Sequence, residues 1–224
     1  DFKCKIIESD LDGMLIDVDT HNLWVKLTGS FNAYNLLAVY SVANLLGENI
    51  SDVLRSMSLL SPAEGRFQTF KNENDIVFVL DYAHTEDALR NVIHTINSTK
   101  KKTQRLITVF GCGGERDKFK RPLMTQVACE LSSKVILTSD NPRSEKINDI
   151  ISDMTEGISK SNLLKILVIN DRAQAIKTAF SLAQNSDIIL VAGKGHEKFQ
   201  EINGEKKAFD DKEKILELIN LNIT

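Results

Sequence analysis

Five short apolar runs recur along the last two thirds of the chain, at positions 77–80, 106–110, 135–138, 166–169 and 188–191. Their apolar residues are continuous rather than alternating, which suits strands covered on both faces. Segments with helical spacing lie between most of them and predict helices over 85–96, 121–131, 147–158 and 173–183. This beat of strand and helix predicts an α/β domain with a doubly wound, mostly parallel sheet joined by right-handed crossovers. After the fifth run, residues 199–202 and 205–209 flank Asn203-Gly204, a type I′ hairpin signal, and a last helix is predicted over 212–221.

The first 62 residues follow a different pattern. Extended pieces at 5–8, 14–18 and 23–27, separated by Asp/Gly and His/Asn turn chemistry, predict a small β-ribbon. From Asn32 the period becomes helical, through Leu36, Leu37, Val39, Tyr40, Ala43 and Leu46, with Gly47 placed as a stop. Ser51 reads as the N-cap of a second helix through Val53, Leu54 and Met57 that ends before Ser61-Pro62. A domain boundary is placed there, giving a small α+β part over 1–62 and the α/β domain over 63–224.

Composition narrows the function classes. With 224 residues, 42% of them hydrophobic, the chain can bury a sizeable core, and disorder is excluded. A net charge of -3 gives no general reason to bind nucleic acid, and the Lys100-Lys101-Lys102 run reads as a solvated loop. Cys4, Cys112 and Cys129 form no C-x-x-C or Cys/His metal spacing, which points to reduced thiols and a cytoplasmic location. The four histidines are scattered, no segment has the length of a membrane span, and nothing resembles a signal peptide. The chain opens at Asp1, inside strand-like sequence, so it is expected to be a fragment.

Candidate chemistry collects directly after the predicted strands, where open α/β sheets bind ligands. Gly111, Gly113 and Gly114 permit close ligand approach, and Arg116 offers a fork to a carboxylate or phosphate; a glycine-rich turn with a surface arginine is the structural alternative. Asp140-Asn141-Pro142-Arg143 presents a carboxylate, an amide and a guanidinium on a loop stiffened by proline, able to read both ends of an amino acid; ordinary turn chemistry explains it too. Gly193-Lys194-Gly195-His196-Glu197 lacks the G-x-x-x-x-G-K-[ST] spacing of a phosphate loop, and Glu197 is a candidate partner for an ammonium. Asn32 and Asn35 share a helix face that suits a purine edge or a cap. Arg66 and Asp81, flanking the first strand of the second domain, suit either phosphate and ribose or a structural ion pair.

These motifs, in this order, resemble those of the Mur ligases. The matching strings are Gly29-Ser30-Phe31-Asn32-Ala33-Tyr34-Asn35, Gly65-Arg66, Asp81-Tyr82-Ala83-His84-Thr85, FGCGGERDKFKRPLM over 110–124, TSDNPRSE over 138–145, AGKGHE over 192–197 and Phe209-Asp210-Asp211. The resemblance implies that 1–62 is the end of an ATP-binding central domain and 63–224 an amino-acid-binding C-terminal domain. It implies an ATP- and Mg2+-dependent amide ligase of peptidoglycan precursor synthesis, cytoplasmic and monomeric, that adds meso-diaminopimelate to UDP-MurNAc-L-Ala-D-Glu. Arg116, Asp140, Asn141, Arg143, Gly193 and Glu197 would then hold the incoming amino acid, with Asn32, Asn35, Arg66, Asp81 and His84 on the nucleotide side. Arg143 is the form associated with the second carboxylate of meso-diaminopimelate; relatives using L-lysine usually lack it. The family's phosphate loop, magnesium ligands and UDP-binding domain are expected upstream of Asp1, so these 224 residues alone are expected to be inactive. An L-lysine-adding or folylpolyglutamate synthase-like ligase, or a non-catalytic amino-acid or nucleotide binding module, is the competing reading.

Overall fold

A computed structural model describes residues 1–220 of the chain. It divides into two compact units, Asp1–Ala63 with Ser98–Lys100, and Glu64–Asn97 with the residues from Lys101 onward.

The first unit holds the antiparallel strands β1 (Cys4–Ser9), β2 (Met14–Val18) and β3 (His21–Val25), in that order, and the helices α1 (Ser30–Leu45) and α2 (Ile50–Leu59). Along β2 every second residue, Met14, Ile16 and Val18, is fully buried, and these pack with Val25, Leu36, Tyr40 and Met57. The third strand begins two residues earlier than the apolar pattern implies, because Asp19 and Thr20 both take positive φ (48° and 73°) and close a tight hairpin. The cap of α2 is Asn49 rather than the expected Ser51. The Asn49 side chain accepts from the backbone amides of Ser51 and Asp52, which satisfies two of the orphan donors at the helix start.

The second unit is the α/β domain. Its elements are β4 (Gln68–Lys71), β5 (Val77–Asp81), α3 (Glu86–Thr99), β6 (Leu106–Phe110), α4 (Lys120–Leu131), β7 (Lys134–Leu137), α5 (Ile147–Thr155), α6 (Lys160–Leu163), β8 (Ile166–Val168), α7 (Arg172–Leu182), β9 (Ile188–Ala192), β10 (Phe199–Ile202), β11 (Glu205–Ala208) and α8 (Asp211–Asn220). The final helix was expected to reach position 221, which lies outside the described residues. Neither β4 nor α6 follows from the hydrophobic pattern. The main sheet has six strands in the order β4-β5-β9-β6-β7-β8, parallel except for β4, which pairs antiparallel with β5 at the edge.

In β5, β6 and β9 every residue is buried, as two-sided coverage requires. Phe78, Leu80, Ile107, Val109, Ile136, Ile189 and Val191 share one face with Ala175, Ile176 and Ala179 of α7 and Ile215 of α8. The alternate residues, such as Val79, Thr108, Val135 and Leu190, point to the opposite face and are equally buried. The chain runs β5, β6, β7, β8 in one direction, then returns to insert β9 between β5 and β6. The connections leaving β5 and β6 therefore diverge from the one leaving β9, and this opens a crevice at the carboxyl ends of these strands.

Candidate functional site

A cavity of about 380 Å³ occupies that crevice, at the lower end of the range for small-molecule sites. Loops after four strands supply its walls: Tyr82, His84 and Thr85 after β5, Gly111, Cys112, Gly113, Arg116 and Asp117 with Lys120 after β6, Asp140, Asn141 and Arg143 after β7, and Gly193 and Glu197 after β9. The structure thus brings Arg116, Asp140, Asn141, Arg143, Gly193, Glu197 and His84 to one cavity, although they are spread over more than half of the chain. Arg116 and Arg143 line the same space.

Asn141 sits at the centre of the network. Its Nδ2 donates to Glu197 Oε2 (2.8 Å), while its Oδ1 accepts from Lys194 Nζ (3.1 Å) and from the backbone amide of Glu201 (3.0 Å). Lys194 is 0% exposed and also donates to Glu197 Oε2 (3.0 Å). Burial pushes the Glu197 carboxyl up, but the hydrogen bonds from Lys194 and Asn141, with the charges of Lys194 and Arg143, hold it below the usual carboxylate range. Asp140 behaves in the opposite way. It is 9% exposed, and burial raises its pKa despite the attraction of Arg172 and Lys194. Gly193 stands against it with φ of +111°, and a Cβ there would lie 2.9 Å from Asp140 Oδ2, so a side chain at this position strains the backbone and displaces the carboxylate.

Arg143 is held at two guanidinium nitrogens, Nη1 donating to the Gly114 carbonyl (2.6 Å) and Nε lying 3.5 Å from Glu201 Oε2. The loop that carries Arg116 is fixed from behind by Arg121. This buried guanidinium donates to Glu145, to Asp153 and to the Gly113 carbonyl. Its hydrogen bonds pull the Glu145 carboxyl down to about 2 against the opposing effect of burial. Cys112, also at the cavity wall, is buried, and desolvation pushes its thiol up to about 12. That places it among inert structural cysteines.

The remaining candidates lie elsewhere. Asp81 is buried at the end of β5, where its two oxygens accept from the backbone amides of Phe67 (2.8 Å) and Ala83 (2.7 Å); burial raises its pKa against those bonds. Arg66 stacks over the Tyr82 ring at 4.6 Å, and that ring also meets His84 and His196. Asn32 and Asn35 belong to the first unit, where Asn32 Nδ2 donates to the Thr28 carbonyl (2.9 Å) and Asn35 Nδ2 lies 3.4 Å from Asn32 Oδ1. Among the described residues no group of three or more His, Cys, Asp or Glu side chains is placed to hold a metal ion.

Several functional supports escape sequence reasoning. Lys194 reads as part of a failed phosphate loop, yet it is the internal cation of the site. Arg172 and Asp211 form a bidentate ion pair in which both side chains are 0% exposed, and Arg172 also donates to the carbonyls of Ser139 and Ala192, at the ends of β7 and β9. Gln200 and Glu201, on a hairpin that reads as surface, hold the Asp140 turn. The only available signal is the presence of charged residues beside strand ends.

Residues 65–195 match the family description "Mur ligase, glutamate ligase domain". The chain belongs to the Mur ligase family. Among curated relatives, this Mur ligase chain is 49% identical over 220 residues to the UDP-N-acetylmuramoyl-L-alanyl-D-glutamate--2,6-diaminopimelate ligase of Bacteroides thetaiotaomicron, covering 98% of this chain and 46% of the relative. It is 50% identical over 220 residues to the ligase of the same name from Parabacteroides distasonis, covering 98% and 45%. A solved structure of a UDP-N-acetylmuramoyl-L-alanyl-D-glutamate--2,6-diaminopimelate ligase superposes with a TM-score of 0.73 at 38% identity, covering 100% of this chain and 46% of that one. The chain therefore spans about half the length of the relatives it matches. No helix among the described residues is long and apolar enough to cross a membrane.

Proposed function

We propose that this chain is the amino-acid-binding part of a Mur ligase that joins meso-diaminopimelate to UDP-MurNAc-L-Ala-D-Glu. The observation that carries this reading is the convergence of Arg116, Asp140, Asn141, Arg143, Gly193 and Glu197 on one cavity. Two guanidiniums and a charged carboxylate complement a guest with two carboxylates and two ammoniums. The names of the near relatives support the same acceptor, and so does the presence of Arg143.

In this reading residues 1–62 end the central ATP-binding domain, and 63–224 bind and orient the incoming amine. ATP, when bound by the whole enzyme, would supply the activation of the UDP-MurNAc-L-Ala-D-Glu carboxylate that the incoming amine attacks. No phosphate-loop spacing occurs in the chain, and no cluster placed to hold a metal ion occurs among its described residues. What they do is electrostatic and geometric. Glu197, kept ionised by Lys194 and Asn141, receives an ammonium, while Arg116 and Arg143 receive carboxylates and hold the second amine toward the reacting centre. Arg66 and His84 are proposed on the nucleotide side, Asn32 and Asn35 at the adenine, and Asp81 as the residue that fixes the turn between Arg66 and His84. A cytoplasmic, monomeric enzyme is the accompanying proposal.

Titration calorimetry with meso-diaminopimelate, L-lysine and glutamate tests the acceptor. The expected order has meso-diaminopimelate tightest, and Arg143→Ala is expected to remove that preference, with about a tenfold to hundredfold loss for the diacid. Equal binding of L-lysine to the unmodified protein, or an unchanged preference in the variant, refutes the assignment.

A further inference from the structure

The β10–β11 hairpin lies outside the core. Every residue of β11 is exposed, and β10 is half-buried. A two-stranded ribbon of this kind is marginal by itself and depends for its stability on what it touches. Along its inner strand it touches the turn that carries the ligand-binding side chains. Gln200 Nε2 donates to Ser139 Oγ and to the Asp140 carbonyl, both at 2.9 Å, and the Glu201 amide donates to Asn141 Oδ1. The Arg143 amide donates to the Glu201 carbonyl (2.9 Å), and the Asn203 amide donates to the Arg143 carbonyl (2.7 Å), so that Arg143 and Ile202 form a β-bridge. Arg143 itself has φ of 52°, left-handed backbone that a residue with a side chain keeps only when its surroundings enforce it.

The side chain is held from the same strand. With the backbone of Arg143 fixed by Glu201 and Asn203, the Gly114 carbonyl takes Nη1 and the Glu201 carboxylate faces Nε. We propose that Glu201 is a positioning residue, which orients the Arg143 guanidinium toward the second carboxylate of the acceptor and so sets the preference for a diamino acid with that carboxylate over one without it. This rests on the acceptor reading given under Proposed function. Glu201 touches no reacting atom. Its negative charge also partly offsets Arg143, and if that were its main effect, its removal would strengthen carboxylate binding.

The two effects are separable by substitution. Ligation is followed as ADP formation by the full-length protein with UDP-MurNAc-L-Ala-D-Glu, and KM is measured for meso-diaminopimelate beside kcat/KM for L-lysine. Glu201→Ala is expected to raise the KM for meso-diaminopimelate about tenfold, through loss of the ion-pair contact that orients the guanidinium, with kcat/KM for L-lysine held within about twofold. Glu201→Gln keeps an acceptor for Nε and is expected to return the KM to within about threefold of the unmodified protein. A thermal melt checks folding, and Glu201→Thr, better suited to a strand, replaces Glu201→Ala if the latter unfolds. An unchanged or lowered KM in the truncated variant overturns the proposal, as does an equal loss for both acceptors or a Gln variant no better than Ala. If the unmodified protein shows no preference for meso-diaminopimelate, the acceptor reading fails and this proposal fails with it. A retained preference with silent variants overturns the proposal alone.

Discussion

Arg172→Met should destabilise the second unit more than any single substitution at the cavity surface. Arg172 and Asp211 are both 0% exposed and share two hydrogen bonds of 2.7 Å, while two further bonds run from Arg172 to the Ser139 and Ala192 carbonyls. Removing one member of a buried pair leaves an uncompensated charge, at a cost of about 4 kcal/mol. At about 2–4 °C per kcal/mol for a domain of this size, the midpoint should fall by roughly 8–16 °C. The paired replacement Arg172→Met with Asp211→Leu removes both charges together, and it should recover much of the loss, since buried ion pairs exchange for apolar groups at little net cost. Calorimetric or circular-dichroism melts of the two singles and the double give the cycle. A fall of less than about 3 °C for Arg172→Met, or a double variant no more stable than the worse single, refutes the view that this pair is desolvated and mutually compensating.

Two other perturbations follow from the cavity walls. The Glu145 carboxyl is held at about 2, against an ordinary 4.5, so its bonds to Arg121 add stability that is complete above pH 4.5 and is lost as the pH falls toward 2. The stability difference between the unmodified protein and Glu145→Gln should therefore shrink on acidification through that window, and a difference independent of pH in denaturant titrations contradicts the argument. Gly193→Ala should cost about 1–3 kcal/mol, because its φ of +111° suits only glycine, and should weaken meso-diaminopimelate binding by displacing Asp140; calorimetry showing normal affinity and a normal midpoint would count against it.

The parallel sheet is legible because its strands must be apolar on both faces, and β5, β6 and β9 meet that demand except at Thr108, whose hydroxyl pairs with Ser132, and at Asp81, which ends β5. The edge strand β4 is not legible. It is four residues long and half-exposed, so it carries no continuous apolar run. The candidate loops stand out since glycine, proline and charged residues directly follow buried strands, which places them at one sheet edge whatever the strand order. The order itself, with β9 inserted between β5 and β6, depends on packing between segments far apart in sequence, and no local pattern encodes it. The buried charges are hidden for the same reason. Arg172 begins a helix and Asp211 begins another, where both look like solvent-facing end charges, and only the folded chain makes them partners across 39 positions. The cap at Asn49 was missed on finer grounds, because Asn49 and Ser51 are both good caps and the choice turns on which backbone amides are free.

The charges at the cavity divide into those already satisfied and those left for a guest. Lys194 is consumed by Asn141 and Glu197, and Arg172 by Asp211, so neither is available to bind a carboxylate; their effect is to keep Asp140 and Glu197 in place under a strong burial penalty. Arg116 is exposed at the rim, and Arg143 is half-buried with its backbone locked by the hairpin. An exposed cation at the rim can meet a carboxylate in many poses and so adds affinity with little selectivity. A fixed fork accepts one pose, and the donors it keeps beyond Gly114 and Glu201 stay unmatched when the guest lacks a carboxylate there, a cost that an amino acid ending in a bare ammonium does not avoid. Under the proposed function, selectivity therefore falls to Arg143, which the fold immobilises, while Lys194 and Arg172 keep the carboxylates of Glu197 and Asp140 compatible with that arrangement.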